Sequence, residues 1–323
     1  MELRSFIEKA NAFGSQGIPF LFLLDFELKK PVIHTLEEAE KEGVYFQIKG
    51  LQKNGNKAEN IKPVKLDIFP MEVTKYEKAF LIAMDHLLAG NTYLLNITFP
   101  TPIAMDRSLV EIFQGAEADY KLLFKDQFTI FSPECFVRTQ KDHIYSYPMK
   151  GTIDADLPNA AQRIMADKKE TWEHNTIVDL IRNDLAMVAN DITVRKFRFL
   201  SEIHTNRKNL LQVSSEIRGE LPSDWRERIG DILGALTPAG SISGAPKQRT
   251  IEIIKEAEKA DRGYFTGVFG IFDGRDLDSA VNIRYIERTE NGLQFRSGGG
   301  ITANSDPKNE YLEMVNKVYV PIA

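Results

Sequence analysis

Two residues of this chain, Glu134 and Lys150, are of the types that acid and amine chemistry on a small molecule needs, and their spacing suggests that they meet. Both lie in FTIFSPECFVRTQKDHIYSYPMKGT, residues 128–152. Apolar and β-branched residues form two short runs there, interrupted by the polar group Gln140-Lys141-Asp142-His143, and this pattern predicts a β-hairpin. With the turn centred on Asp142, Glu134 and Lys150 are equally far from the centre, so antiparallel pairing sets them opposite each other. Cross-strand Cβ atoms lie roughly 5 Å apart, so a carboxyl and an amine would reach one small molecule from one side. The same register also fits an ordinary cross-strand salt bridge. The neighbours favour chemistry, because Pro133, Pro148 and Gly151 shape the backbone beside each charge instead of merely solvating it.

A second set is acidic. Glu310, Glu313 and Lys317 recur at spacings of three and four, which puts them on one face of a closing helix, with Tyr311, Val315 and Val318 on the other. A solvated charged stripe would look the same. This one, however, follows SGGGITANSDP, a predicted glycine loop whose bare N–H groups suit an anion, with Ser305 as the expected N-cap. Glu173 sits in another predicted helix beside Trp172 and Ile177. Two carboxylates from separate helices, completed by substrate oxygens, are a common way to hold Mg²⁺. Five histidines, none paired at ligand spacing, argue against a transition metal. The segment GSISGAPK, residues 240–247, fails the phosphate-loop pattern, yet its glycines and hydroxyls before a helix suit a carboxylate or phosphate. The charged knot DLIRND, Asp179 to Asp184, reads either as catalytic or, more commonly, as a structural network. Cys135 has no triad partners in the sequence and reads as a small buried residue.

The elements that must carry these residues alternate between strand and helix patterns. Residues 2–13 form an amphipathic helix, Ile18 to Phe26 a buried strand and Val44 to Ile48 another, followed by a polar loop at 50–62. A helix capped by Thr74 would bury Tyr76, Phe80, Leu81, Met84 and Leu88 and stop at Gly90. Then come a strand at 93–98, a helix at 109–124, helices within 159–191, strands at 192–194 and 210–216, and helices at 224–236 and 246–260. Three runs at 264–272, 279–287 and 293–296 predict a meander. Without a βαβ rhythm the class is antiparallel α+β, read as one compact domain over 1–323.

At 323 residues, 43% hydrophobic and 27% charged, the chain has the composition of a globular protein with a sizeable core. Its net charge of -5 suggests neither a nucleic-acid nor a membrane-surface partner. One cysteine, no signal-peptide pattern and no membrane-length apolar run predict a cytoplasmic protein.

The ordered blocks NTYLLNITFP, SPECF, PMKGT, EHNTIVDLIRND, LTPAGSISGAPK, RGYFTGVFG, SGGGITANSDP and EYLEMVNK resemble the chorismate-utilising enzymes. That family includes anthranilate synthase and aminodeoxychorismate synthase component I and the isochorismate and salicylate synthases. The blocks cover residues 90–323, the implied catalytic core, while residues 1–89 match weakly and are shorter than the family's usual N-terminal part. The resemblance implies two large antiparallel sheets packed orthogonally with helices on the outer faces.

Lys150 in PMKGT is most similar to aminodeoxychorismate synthases, which use this lysine as a nucleophile; anthranilate synthases carry a small residue there. By this resemblance Lys150 attacks C2 of chorismate, Glu134 protonates the departing 4-hydroxyl, and ammonia adds at C4 and expels the lysine. Such an amine must be neutral, so its pKa of about 10.4 has to be lowered by burial or cationic neighbours. The resemblance further implies Mg²⁺ at Glu173 and Glu313, with Glu310 nearby. Chorismate's carboxylates would be held by Arg284, Lys317, Ser243 and the amides of Gly298, Gly299 and Gly300, with Gly151, Thr152 and Gly244 lining the substrate. Asp179 and Arg182 would be structural. Gln212 stands where anthranilate synthases have a histidine. An element that binds tryptophan and a glutaminase segment are both missing, so ammonia would come from a separate glutamine amidotransferase subunit. The alternatives are an isochorismate or salicylate synthase using the lysine as a base for water, an anthranilate synthase, or a non-catalytic chorismate-binding subunit.

Overall fold

The computed structural model of the protein describes residues 1–48, 51–53, 64–204 and 209–322. Two antiparallel sheets, each of nine strands among the described residues, and the helices around them give an α+β fold. The strand Phe20–Leu24 shows why FLFLL is apolar throughout: every residue is buried. Leu21 and Leu23 join Val44, Phe46, Leu122, Ile130 and Phe269, drawn from both sheets. Phe20, Phe22 and Leu24 instead meet Phe6, Trp225 and Leu233 on helical segments. A strand covered on both faces has no reason to alternate.

The first sheet runs Met149–Asp154, Asn209–Glu220, His143–Ser146, Cys135–Gln140, Leu277–Val281, Val268–Phe272, Phe20–Leu24 and Val32–Thr35, with Asn190–His204 also paired to Asn209–Glu220. The second runs Gly244–Ala245, Leu94–Met105, Gly292–Ile301, Tyr285–Thr289, Phe128–Ser132, Tyr120–Phe124, Val44–Ile48 and Leu51–Lys53, with Leu66–Ile68 beside Leu94–Met105. Two of the points where the chain crosses between the sheets touch each other: residues 133–134 and 282–284. There Val281 N–H donates to Glu134 O at 3.1 Å, and Phe131 N–H donates to Arg284 O at 3.1 Å.

These crossings correct the expected hairpin. Only Cys135–Gln140 and His143–Ser146 pair, with Gln140 opposite His143 and Arg138 opposite Tyr145. Phe128–Ser132 belongs to the second sheet, and Met149–Asp154 pairs with Asn209–Glu220. Pro133 and Pro148 have no N–H for a ladder, so pairing breaks at both. Glu134 is therefore not the cross-strand partner of Lys150.

Other boundaries differ as well. The helix expected at 109–124 is Leu109–Gly115 followed by the fully buried strand Tyr120–Phe124. The run 279–287 divides between the two sheets at Arg284, whose φ is 54°. The helix Val73–Leu88 starts one residue before Thr74, and Leu81 and Leu88 are exposed. The strands Asn190–His204 and Asn209–Glu220 are longer than their apolar cores. Of the expected loop at 50–62, Leu51–Lys53 is a strand and the remainder lies outside the described residues. Among the described residues no helix is long and apolar enough to cross a membrane.

Candidate active site

Lys150 is aimed by a bulge. Met149 pairs with Ser214 and Thr152 with Gln212, so this strand carries one residue more than its partner between those points. Gly151 supplies the left-handed backbone that the bulge needs, at φ +89°. The Lys150 ammonium then lies 2.8 Å from Glu173 Oε2, on the helix Lys168–Ala186. Lys169 Nζ spans from Glu173 Oε1 at 3.7 Å to Glu310 Oε1 at 4.0 Å. Burial works to lower the Lys150 pKa, but the Glu173 carboxylate, with Glu313 and Glu170 behind it, outweighs burial and holds the amine above the ordinary lysine value. That reverses the expectation of a lowered pKa, because the surrounding charges are carboxylates rather than cations.

The glycine run expected as a loop is instead the end of the strand Gly292–Ile301, with Gly298, Gly299 and Gly300 opposite Thr98, Ile97 and Asn96. Close approach explains the missing side chains. A Cβ on Gly298 would lie 2.2 Å from Ile97 O. One on Gly299 would point at Glu310 Oε2, Glu313 Oε1 and Lys317 Nζ, at 3.5, 3.6 and 3.9 Å. One on Gly300 would stand 3.6 Å from Lys150 Nζ. The bare strand thus brings the amine and the acidic helix Pro307–Asn316 to one place. Asp306, not Ser305, caps that helix; Ser305 Oγ donates to Glu310 Oε1 at 2.8 Å. Lys317 Nζ donates to Gly298 O at 2.9 Å and pairs with Glu313 Oε1 at 2.7 Å. Burial lowers the Lys317 pKa, whereas Lys317 outweighs burial at Glu313 and keeps that carboxyl below its usual range.

Glu134 sits on the first crossing. Burial raises its pKa, against a hydrogen bond from Ser241 and the positive charges of Arg284, Lys317 and Lys150. Ser241 Oγ donates to Glu134 Oε1 at 2.7 Å. Arg284, on the second crossing, donates from Nε to Tyr319 Oη at 3.2 Å and stacks its guanidinium 5.2 Å from that ring's centroid. A carboxyl whose pKa burial raises and an amine among carboxylates share one charge field, the first on the crossing at 133–134 and the second on a strand of the first sheet.

The remaining expected residues divide. Thr152 is exposed beside Gly151. Ser243 is fully buried with its hydroxyl donating to Ala239 O at 3.0 Å, and Gly244 pairs with Leu95. Asp179 and Arg182 form a surface pair at 3.3 Å. The reading of residues missed Lys169, Glu170, Asn96 and His174, whereas Ser241 lies in the hydroxyl-rich segment 240–247 already singled out. His174 is the most hidden of these: it is 0% exposed, with Nε2 2.6 Å from Ser215 Oγ, and burial pushes its pKa down to about 4. Its position next to Glu173 was the one available signal.

Among the described residues no three His, Cys, Asp or Glu side chains converge closely enough to form a metal cage on their own. The donor chemistry around Gly299 nevertheless fits a hard cation. Burial raises the Glu310 pKa and the Glu313 charge adds to it, and the positive charge beside Glu173 comes from Lys150 and Lys169.

The sequence model of a family described as chorismate binding enzyme matches residues 19–323. An uncharacterized PabA-like protein of Pasteurella multocida is 51% identical over 324 residues, covering 100% of both chains. An anthranilate synthase component 1 of Haloarcula marismortui is 32% identical over 81% of this chain and 54% of its own length. The solved structure of the menaquinone-specific isochorismate synthase MenF of Escherichia coli superposes with a TM-score of 0.71 at 14% identity, over 97% of this chain and 80% of that one. At that identity the likeness concerns the fold.

Proposed function

This chain belongs to the family of chorismate binding enzymes, and we propose that it joins chorismate to ammonia, giving 4-amino-4-deoxychorismate through a covalent adduct on Lys150. The observation that supports this reading is the Lys150 amine, set by the Gly151 bulge beside the bare Gly300, in the charge field of a carboxyl whose pKa burial raises.

In the proposed sequence the Lys150 amine attacks C2, the ring double bonds shift, and the C4–O bond breaks as Glu134 gives its proton to the departing hydroxyl. Ammonia then adds at C4 and the reverse shift expels the lysine. Arg284 and Lys317 supply the positive charge for chorismate's two carboxylates. Glu173 and Glu313, with Glu310 beside them, are the residues that would hold Mg²⁺, which supplies electrophilic charge at the ring carboxylate. Glu173 would therefore have two roles, as one of the carboxylates for the cation and as the partner whose charge holds the Lys150 ammonium. Ammonia would come from a glutamine amidotransferase subunit. The PabA-like description of the Pasteurella relative accords with an aminobenzoate route.

The test is a product assay with chorismate, Mg²⁺ and ammonium. We expect aminodeoxychorismate; isochorismate, salicylate or anthranilate as the product would overturn the proposal and leave the family assignment intact.

A further inference from the structure

A small cavity of about 20 Å³ lies against Glu134, with Ser241, Ser146 and Asp184 on its polar side and Val137 and Ile181 among its apolar walls. About 10–15 Å³ suffices for one water, provided that it finds two or more polar partners. Asp184 is only 8% exposed. Its Oδ1 takes a 3.1 Å ion pair from Lys247, whereas its Oδ2 is buried without a hydrogen-bond partner. An added Cβ on Gly240 would come within 2.5 Å of Oδ2, so bare backbone is what gives this oxygen room. Ser146 Oγ donates to Phe136 O, and Ser241 Oγ to Glu134, which leaves the lone pairs of both hydroxyls free to accept. A buried acceptor without a partner is costly, and a water in this cavity would satisfy it.

We propose that the cavity binds one water molecule and that this water relays protons between Asp184 and Glu134. The relay rests on Glu134 acting as the acid of the proposed reaction; the binding of the water does not. After Glu134 has protonated the departing hydroxyl, its carboxylate takes a proton from the water. Lys247 passes a proton to Asp184 Oδ1, a half-turn of the neutral carboxyl presents that proton to the water, the water takes it, and the partly exposed Lys247 recovers its proton from solvent. No net charge is left inside. The groups facing the relay are Lys247 at Asp184, and Arg284, Lys317 and Lys150 at Glu134. Asp184 acts here through another residue and does not touch substrate.

The experiment is a high-resolution crystal structure of the full chain, with kinetics of Val137→Ile, which fills the cavity, and Asp184→Asn, which keeps its shape. We expect a water within hydrogen-bond distance of Asp184 Oδ2 in the wild type and none in Val137→Ile. Both variants should lose about tenfold or more in kcat, with KM for chorismate nearly unchanged. In mixtures of light and heavy water the dependence of kcat on deuterium content should be curved for the wild type and linear for the variants, a change that a purely structural role would not produce. If Asp184→Asn fails to fold, Val137→Ile keeps the test decisive. A dry cavity overturns the site; a filled cavity with full kcat and unchanged isotope behaviour overturns the relay. A wild type that does not consume chorismate would refute the proposed function, while the water peak would still decide the site.

Discussion

Replacing Gly300 by alanine tests where the substrate lies while disturbing the fold little. Gly300 pairs with Asn96, and it is absent from the glycines with left-handed backbone, so alanine can adopt its conformation. The new Cβ would meet Leu94 Cδ1 at 3.3 Å, Asn96 Oδ1 at 3.7 Å and Lys150 Nζ at 3.6 Å. The Leu94 contact needs only a few tenths of an ångström of relief at the end of a side chain. Its cost is offset by the ~0.5–1 kcal/mol that alanine gains over glycine inside a strand. We therefore expect stability within about 1 kcal/mol of wild type, a Tm change of roughly 2–4 °C at most.

The functional effect should be much larger. Attack needs the ring carbon roughly 3–3.5 Å from Nζ, and non-bonded carbons settle at about 3.5–4 Å from each other. A methyl group already beside Nζ would push the ring away by about 1 Å, which costs on the order of 100-fold. The assay is ammonia-dependent chorismate consumption, with Tm measured on the same samples. An unchanged Tm with kcat/KM within threefold of wild type would refute this placement of the substrate. Gly298→Ala is the contrast: its Cβ would meet the Ile97 carbonyl at 2.2 Å, so it should lose stability outright.

Three further outcomes follow from the same geometry. Gly151→Ala places a side chain at φ +89° and 3.1 Å from Glu170 Oε2, so thermal unfolding should show a loss of about 1–2 kcal/mol together with lower activity as the bulge re-aims Lys150. The raised Glu134 pKa means that the native state holds this proton longer than the unfolded chain does, so its contribution is most favourable below about pH 4.3 and declines as pH rises through the native pKa. Glu134→Gln should accordingly unfold at higher urea than wild type at pH 7, with the gap closing toward pH 4, while turnover is lost; a pH-independent gap would contradict the assignment. Mg²⁺ alone at about 100 times its Kd should stabilise the wild type by ~2.7 kcal/mol, and Glu310→Gln should abolish most of that gain; equal shifts in both proteins would rule these carboxylates out.

What the sequence disclosed was local. Ile18 to Phe26 and the helices within 159–191 were legible because burial on two faces and helical periodicity leave direct marks in the residue pattern. The split of 279–287 and of 128–152 between two sheets was not, since nothing in a run of apolar residues says which sheet it joins. The segment 109–124 was misread for a related reason: YKLLF, buried on both faces, continues the apolar signal of the helix before it. Glu134 and Lys150 were expected together on one hairpin; instead Glu134 lies on the crossing at 133–134 and Lys150 on a bulge, and they share a charge field. The protonation of Lys150 was misjudged because Glu173, Glu170 and Glu313 come from two helices remote in sequence. Glycines 298–300 were singled out but placed in a loop, because close approach to Ile97, Glu310 and Lys150 is visible only in three dimensions.

The central claim is that Lys150 forms a covalent bond to the ring, and intact-protein mass spectrometry of rapidly quenched turnover tests it most directly. With chorismate and Mg²⁺ but limiting ammonium, the account predicts a protein mass increased by one chorismate less one water, mapped to Lys150 and absent from Lys150→Ala. Aminodeoxychorismate formed at full rate with no such adduct, or by Lys150→Ala itself, would contradict it.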